Sequence, residues 1–379
     1  MKTGLFSRLL CSLALTGAIL APVSAVHADT SLESEFDRAF SAPAPAPVVR
    51  TAAKPTSAPT AKAQPLAQPT AKPAPRQRPT PATVRPFVSY GQPRTFSSGF
   101  EAQLYNAADS SNGRIGVAVI DLTSGNTVSV LGDTPFPMAS TSKIAIAATF
   151  LDGVDKGKWS LDDQFPLMIP VKSAKYSSDK APVRAGKMMS GRQLIELSLI
   201  HSSNPATDAL LAAVGGPVAV NRWIRSAGIE GMRIDRDIAT LVRDDGEFNP
   251  ASTVDLRDSA TPLAMTELLS GLFQGRWLSP RSRAFLLSTM ERCETGKHRM
   301  RALLPSDARI AHKTGTLNNT ASDVGIIQAP DGHAYAVAIY VTGQGGKPGR
   351  DARIASIART VYYGYESHQG GSAQVYANK

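Results

Sequence analysis

The sequence predicts a mixed α/β fold of the α+β kind: one antiparallel sheet assembled from both ends of a domain, with a helical lobe inserted between. Three observations carry this. Strand-like stretches about tight turns occupy residues 114–131 and recur over 309–341. The span between them reads largely at helical spacing. Residues 1–96 show neither pattern, which leaves 97–379 as the folding unit, with its core ending near Tyr365 and a short disordered tail after it.

Residues 1–28 hold Lys2 and Arg8, a mostly apolar run from Leu9 to Leu20, and then Val26-His27-Ala28 with small residues at both recognition positions. That is the layout of a secretory signal cleaved after Ala28, and the run falls short of the ~20 residues needed to span a bilayer. Export to the periplasm or beyond is expected. Residues 29–96 read as a disordered basic linker. From Ser41 to Phe96 there are eight Lys/Arg, no acid and 13 of the 27 prolines. Such a stretch has too few large apolar side chains to bury and stays extended. A passive spacer and a segment touching anionic wall polymer or membrane surface both fit, whereas scattered charges without interleaved aromatics exclude a nucleic-acid platform.

In the folding unit, Arg114–Asp121 and Thr127–Leu131 flank Ser124-Gly125-Asn126 and form a hairpin. Helical patterns follow at Lys143–Leu151, Ser190–Ile200, Ala206–Val214, Val218–Ala227, Pro262–Leu272 and Ser279–Thr289. A second hairpin joins Asp323–Gln328 to Ala334–Val341 across Ala329-Pro330-Asp331-Gly332, and the Gly343–Gly349 stretch reads as a surface turn before a last helix. The formal charge of +10 belongs mostly to the signal and linker: after Phe96 there are 30 basic and 27 acidic residues, a balance of only +3. Two cysteines exclude a disulfide scaffold, and histidines without a His-Glu-x-x-His or His-x-His pattern leave a zinc hydrolase without ligands. No metal or cofactor is expected. His201 and His312 read as packing or hydrogen-bonding residues.

Three short motifs carry candidate chemistry. Ser140-Thr141-Ser142-Lys143 opens an apolar helix, so the hydroxyl and the amine three residues on share a face; burial and nearby cations would lower the lysine's pKa and let it act as a base. The bland alternative is a capping serine followed by a solvated lysine. His201-Ser202-Ser203-Asn204-Pro205 is either an ordinary helix start or a turn aiming Ser202 and Asn204 into one cleft. In Lys313-Thr314-Gly315-Thr316, on a strand, Lys313 can hold a negative charge, Gly315 leaves room for a substrate alongside, and the Thr316 N–H can serve an oxyanion, unless the lysine is a plain solvated charge.

Ser-x-x-Lys, Ser-x-Asn and Lys-Thr-Gly in this order resemble the penicillin-recognising serine hydrolases, and most closely the class A β-lactamases. The likeness runs from about Ser97 to Tyr365 and includes Phe136-Pro137-Met138-Ala139, Gly215-Gly216-Pro217 and Thr261-Pro262-Leu263-Ala264-Met265. It implies a five-stranded sheet, and a monomer. Ser140 would attack a lactam carbonyl with Lys143 activating it; Ser202 would pass a proton to the departing nitrogen. Asn204 would bind the substrate side-chain amide, Lys313, Thr314, Gly315 and Thr316 would line the carboxylate site, and the Ser140 and Thr316 N–H groups would form the oxyanion hole. Tyr176 would flank the cleft mouth and Arg350 would supplement carboxylate binding.

Two departures bear on the reaction. Ser203 stands where class A enzymes usually carry aspartate. The loop that carries the family's deacylating glutamate, closed by an expected Arg236–Asp258 ion pair, gives Ile238 when counted from its start, and Asp245, with Glu247 two residues later, when counted from its end. Three readings therefore stay open: a β-lactamase; a D-alanyl-D-alanine carboxypeptidase or transpeptidase acting on peptidoglycan peptides, which shares the acylation step; and a non-catalytic penicillin-binding or wall-anchored module.

Overall fold

A computed structural model describes residues 85–86, 98–109 and 112–376, all within one unit spanning Arg50–Lys379. Residues 1–28, read as a secretory signal, and nearly all of residues 29–96, read as a linker, lie outside the described residues. Within that linker, Arg85–Pro86 pairs antiparallel with Thr253–Val254, so this part of the stretch read as disordered is a strand against the loop near the site.

After helix α1 (Gly99–Ala107), strands β1 (Gly113–Asp121) and β2 (Thr127–Val130) form the first hairpin. Helix α2 (Lys143–Asp155) is buried nearly all round, as its Ile-Ala-Ile-Ala-Ala run requires, and forms the axis of the helical lobe. A ribbon of β3 (Gln164–Pro170) and β4 (Val183–Ser190) follows, then helices α3 (Gly191–Ile200), α4 (Asn204–Val214), α5 (Pro217–Ser226), α6 (Ile238–Arg243), α7 (Pro262–Gln274) and α8 (Pro280–Glu291). Strands β5 (Arg309–Leu317), β6 (Thr320–Gln328) and β7 (Ala334–Gly343) return to the sheet, and α9 (Lys347–Tyr376) closes the fold. Helix starts follow the local chemistry. Ser190 makes a capping box with Gln193, and Thr261 and Ser279 accept from backbone N–H groups three residues on, each followed by proline.

The five-stranded antiparallel sheet runs β5-β6-β7-β1-β2, so the two ends of the unit meet at its centre where β7 pairs with β1. Alternation along β7 divides it between two cores. Val337, Ile339 and Val341 pack with Phe100 and Leu104 of α1 and Ile354, Ile357 and Val361 of α9. Ala336, Ala338 and Tyr340 face Met265, Leu268 and Leu272 of α7 and the lobe around α2. Helix α1, the β3–β4 ribbon and α6 went unassigned in the sequence; Pro166 and Pro170 interrupt one strand of the ribbon and α6 has only six residues.

Candidate active site

The Ser140 turn is a 3-10 segment, Ala139–Ser142, leading into α2, so the regular helix starts three residues later than the serine. Ala139 sits at φ +50°, and the hydroxyls of Thr141 and Ser142 each donate to the carbonyl three residues back, at 2.8 Å. Ser140 is half-buried and its carbonyl accepts from the Lys143 N–H. Gly315 of β5 lies against this turn: a Cβ there would come within 2.6 Å of the Met138 carbonyl and 3.1 Å of Ala139 Cβ. The sequence assigned the missing side chain to room for substrate; the structure assigns it to the close approach of the nucleophile turn.

Lys143 is fully buried. Its Nζ donates to the Ser202 carbonyl, to Ser202 Oγ at 3.2 Å and to Asn204 Oδ1 at 2.7 Å. Ser202 adopts φ +63° before α4, while Ser203 caps that helix, its Oγ accepting from Ala206 N–H at 3.4 Å. Here a neutral cap stands where the family usually carries a carboxylate. Across the cleft, Lys313 is equally buried and donates to Ser202 Oγ at 2.9 Å and to the Thr314 carbonyl at 2.9 Å. Two motif lysines are thus joined through one hydroxyl: Ser202 bridges the lysines of the first and third motifs.

Thr314 and Thr316 are held from behind. Their partners are Thr295, whose hydroxyl lies 2.6 Å from Thr314 Oγ1, and Arg299, which donates to Thr316 Oγ1 at 2.7 Å. Arg299 also donates to the carbonyls of Gly315 and Ser322 and pairs with Asp351 at 2.7 Å. The sequence reading missed this arginine, because nothing near it marks a 3-10 turn at Met300–Leu303 as neighbour to β5. Arg350, the residue expected to supplement carboxylate binding, donates from Nη1 to the Gly343 and Gly345 carbonyls and to Asn319 Oδ1.

The loop after α5 is closed as expected: Arg236 Nε lies 2.6 Å from Asp258 Oδ2, and the other Asp258 oxygen accepts from the Asp235 and Arg236 N–H groups. Counting from the loop's start is the register the structure follows beside α4. Ile238 opens α6, and its N–H and that of Ala239 donate to the two carboxylate oxygens of Asp208 on α4, at 2.7 and 2.9 Å. Asp208, Asn204, Ile238 and Ala239 line one cavity of about 370 Å³. Burial pushes the Asp208 carboxyl up to about 7, against the pull of those two N–H groups; Asp237 adds to the rise and Lys143 opposes it. No sequence motif pointed to Asp208; its place one helical turn after Asn204 was the available signal.

The alternative loop carboxylates lie elsewhere along the loop. Asp245 Oδ2 accepts from the Asn318 N–H at 2.8 Å, and Glu247 pairs with Arg257 at 2.8 Å in a cavity walled by Pro137, Leu317 and Thr320. Tyr176, at φ +58° and 39% exposed, is fastened to that loop, its N–H and hydroxyl donating to the Asp244 carboxylate and carbonyl. Among the described residues, no group of three or more His, Cys, Asp or Glu is arranged to hold a metal.

The pattern of the β-lactamase enzyme family matches residues 99–365. The β-lactamase Toho-1 of Escherichia coli is 32% identical over 272 residues, covering 71% of this chain and 90% of that protein. Among solved structures, a β-lactamase from Chitinophaga pinensis is 29% identical with a TM-score of 0.62, covering 71% of this chain and all of that one. An ancestral class A β-lactamase is 37% identical with a TM-score of 0.60, over 70% of this chain and 99% of that one. The likeness therefore spans the whole folded unit and both sides of the cleft in which Ser202 joins Lys143 to Lys313, and the chain belongs to the class A β-lactamase family.

Proposed function

We propose that this protein is an exported serine hydrolase that opens β-lactam amides through an acyl-enzyme on Ser140. The observation that carries the reading is the position of Ser202 Oγ between two buried lysine side chains, 3.2 Å from Lys143 Nζ and 2.9 Å from Lys313 Nζ. In this mechanism Lys143, as the neutral amine, takes the Ser140 proton as Oγ attacks the lactam carbonyl, and the Ser140 and Thr316 N–H groups receive the oxyanion. Ser202 accepts from both lysines, so its own proton points to the departing nitrogen. Asn204 spends its oxygen on Lys143 and keeps its NH₂ for a substrate carbonyl. Lys313, Thr314 and Thr316, the last oriented by Arg299, take the carboxylate.

Deacylation needs a base to activate water, and Ile238 cannot supply one. We assign that role to Asp208, the carboxylate of the cavity beside Asn204: each oxygen holds one loop N–H and keeps a lone pair, and a carboxyl near 7 suits a base working near neutral pH. A second reading, a D-alanyl-D-alanine peptidase inactivated by lactams, is favoured by the same Ile238. Time-resolved mass spectrometry with a penicillin and a chromogenic cephalosporin separates the two. Prompt turnover with little adduct is expected; a persistent adduct on Ser140 overturns the lactamase in favour of the peptidase. Ser140→Ala is expected to abolish adduct and turnover together, and turnover that survives it rules out this mechanism.

A further inference from the structure

Behind the strand that carries Lys313 and Thr314 lies a second cluster of reactive side chains, which lactam acylation does not use. Cys293 follows α8, His312 is on β5 and Asp323 is on β6. Gly325, opposite His312 in the ladder, gives the imidazole its room: a Cβ there would lie 2.7 Å from His312 Cβ. Asp323 is fully buried with both oxygens engaged, Oδ1 with His312 Nδ1 at 2.8 Å and Oδ2 with the Met300 N–H at 3.1 Å. A carboxylate only accepts, so Nδ1 carries a proton and the ring turns Nε2 the other way. Nε2 is buried and makes no well-formed hydrogen bond, and the Cys293 thiol is the neighbouring group with which the ring interacts electrostatically. The sulfur is also 3.3 Å from Thr295 Oγ1, whose hydroxyl is the one bonded to Thr314.

We propose that Cys293 is a nucleophilic thiol activated by the His312–Asp323 pair, and that it is a covalent modification site for small hydroperoxides. Nucleophile, base and orienting carboxylate stand in the order that activates a weak nucleophile elsewhere. Burial raises the thiol's pKa, but His312, Lys313 and Thr295 outweigh it and bring Cys293 down to about 7. Burial likewise opposes charge on His312, and Asp323 with the thiol outweighs that, holding the imidazole up to about 10. The other charges nearby are Glu294, the next residue, and His201, 3.2 Å from it. Cys293 retains 9% exposure between the exposed Arg292 and Glu294.

In the reaction the thiolate attacks the terminal peroxide oxygen, an S–O bond forms and the O–O bond breaks. The sulfur is oxidised to a sulfenic acid, the peroxide is reduced, and the departing hydroxide (or alkoxide, from an organic hydroperoxide) takes the His312 proton and leaves as water (or the alcohol). The added oxygen crowds Thr295 and so loosens Thr314; this consequence, a higher KM for lactam, rests on the functional reading above.

Iodoacetamide alkylation of the native full chain between pH 5 and 9.5, followed on the Cys293 peptide by mass spectrometry so that Cys11 is counted apart, tests the site without any lactam. The expected rate profile has its midpoint near pH 7, and hydrogen peroxide followed by dimedone labels Cys293. His312→Gln moves the midpoint toward an ordinary thiol's and slows the reaction at pH 7 about fifteenfold. Labelling of the unsubstituted protein only in denaturant, or a midpoint near the ordinary ~8.5, overturns the proposal however the variant folds. The outcome is independent of whether lactams are hydrolysed, so each reading can fail alone.

Discussion

A serine hydroxyl that accepts from two buried lysine side chains is a different reagent from a capping serine, and the difference is entirely one of surroundings. Ser140, Lys143, Ser202, Asn204 and Lys313 were legible in the sequence because each motif pairs a nucleophile, amide or cation with a helix start or a strand. Asp208 and Arg299 were not. Each lies outside the motifs, and only packing brings Asp208 under the loop and Arg299 behind β5. If Asp208 is the deacylating base, its ionised fraction sets the rate. With the carboxyl held at about 7 by burial, the deacylation rate is expected to rise about tenfold per pH unit below 7 and to level off above ~8. A single-turnover pH profile that instead levels off near pH 4 to 5 assigns the base elsewhere. The same raised pKa has an opposite consequence for stability. The folded state holds its proton more tightly than the unfolded chain, so this group's favourable contribution, complete below about 4, is lost as pH rises through 7. Asp208→Asn removes the ionisable group and with it the pH dependence of deacylation, and the acyl-enzyme is expected to accumulate while acylation persists.

At the scale of elements, the site depends on how closely β5 approaches the turn before α2. Gly315→Ala places a methyl group within 2.6 Å of a backbone carbonyl that cannot swing away, and within 2.5 Å of Ser322 Oγ. We expect a cost of about 1–3 kcal/mol and a slower acylation step as the turn shifts, read by thermal melting and burst kinetics. An unchanged melting temperature and burst rate reject this account of the glycine. Element types and most boundaries were legible from periodicity and caps, as at Ser190, Thr261 and Ser279. The β3–β4 ribbon was not, since it is half-exposed and proline-broken and owes its pairing to the lobe it borders. The length of the loop between Arg236 and Asp258 was legible, but its register against α4 was not. Two counts fitted the sequence, and only the structure shows Ile238 and Ala239 hydrogen-bonded to Asp208.

For the whole molecule, the described residues before the folded core are a two-residue strand paired with a loop of that core. Arg85–Pro86 adds a strand to Thr253–Val254, and the Pro250 carbonyl beside it accepts from the buried Arg114 at 2.8 Å. Removing residues 1–84 is expected to leave melting temperature and kinetics unchanged. Removing 1–96 takes away the ladder and is expected to raise hydrogen exchange in residues 250–257 alone. Equal exchange in both truncated proteins rejects a role for that strand. The sequence by itself determined the fold class, the two-ended sheet, the charge separation between tail and domain, and the residues of the three motifs, because periodicity, caps and short spacings are local properties of the chain. Only the tertiary structure decided which residue fills the loop's critical position, which arginine stands behind Thr316, and that Cys293, His312 and Asp323 meet, because each depends on contacts between segments far apart in sequence, and no local pattern records which segments pack together.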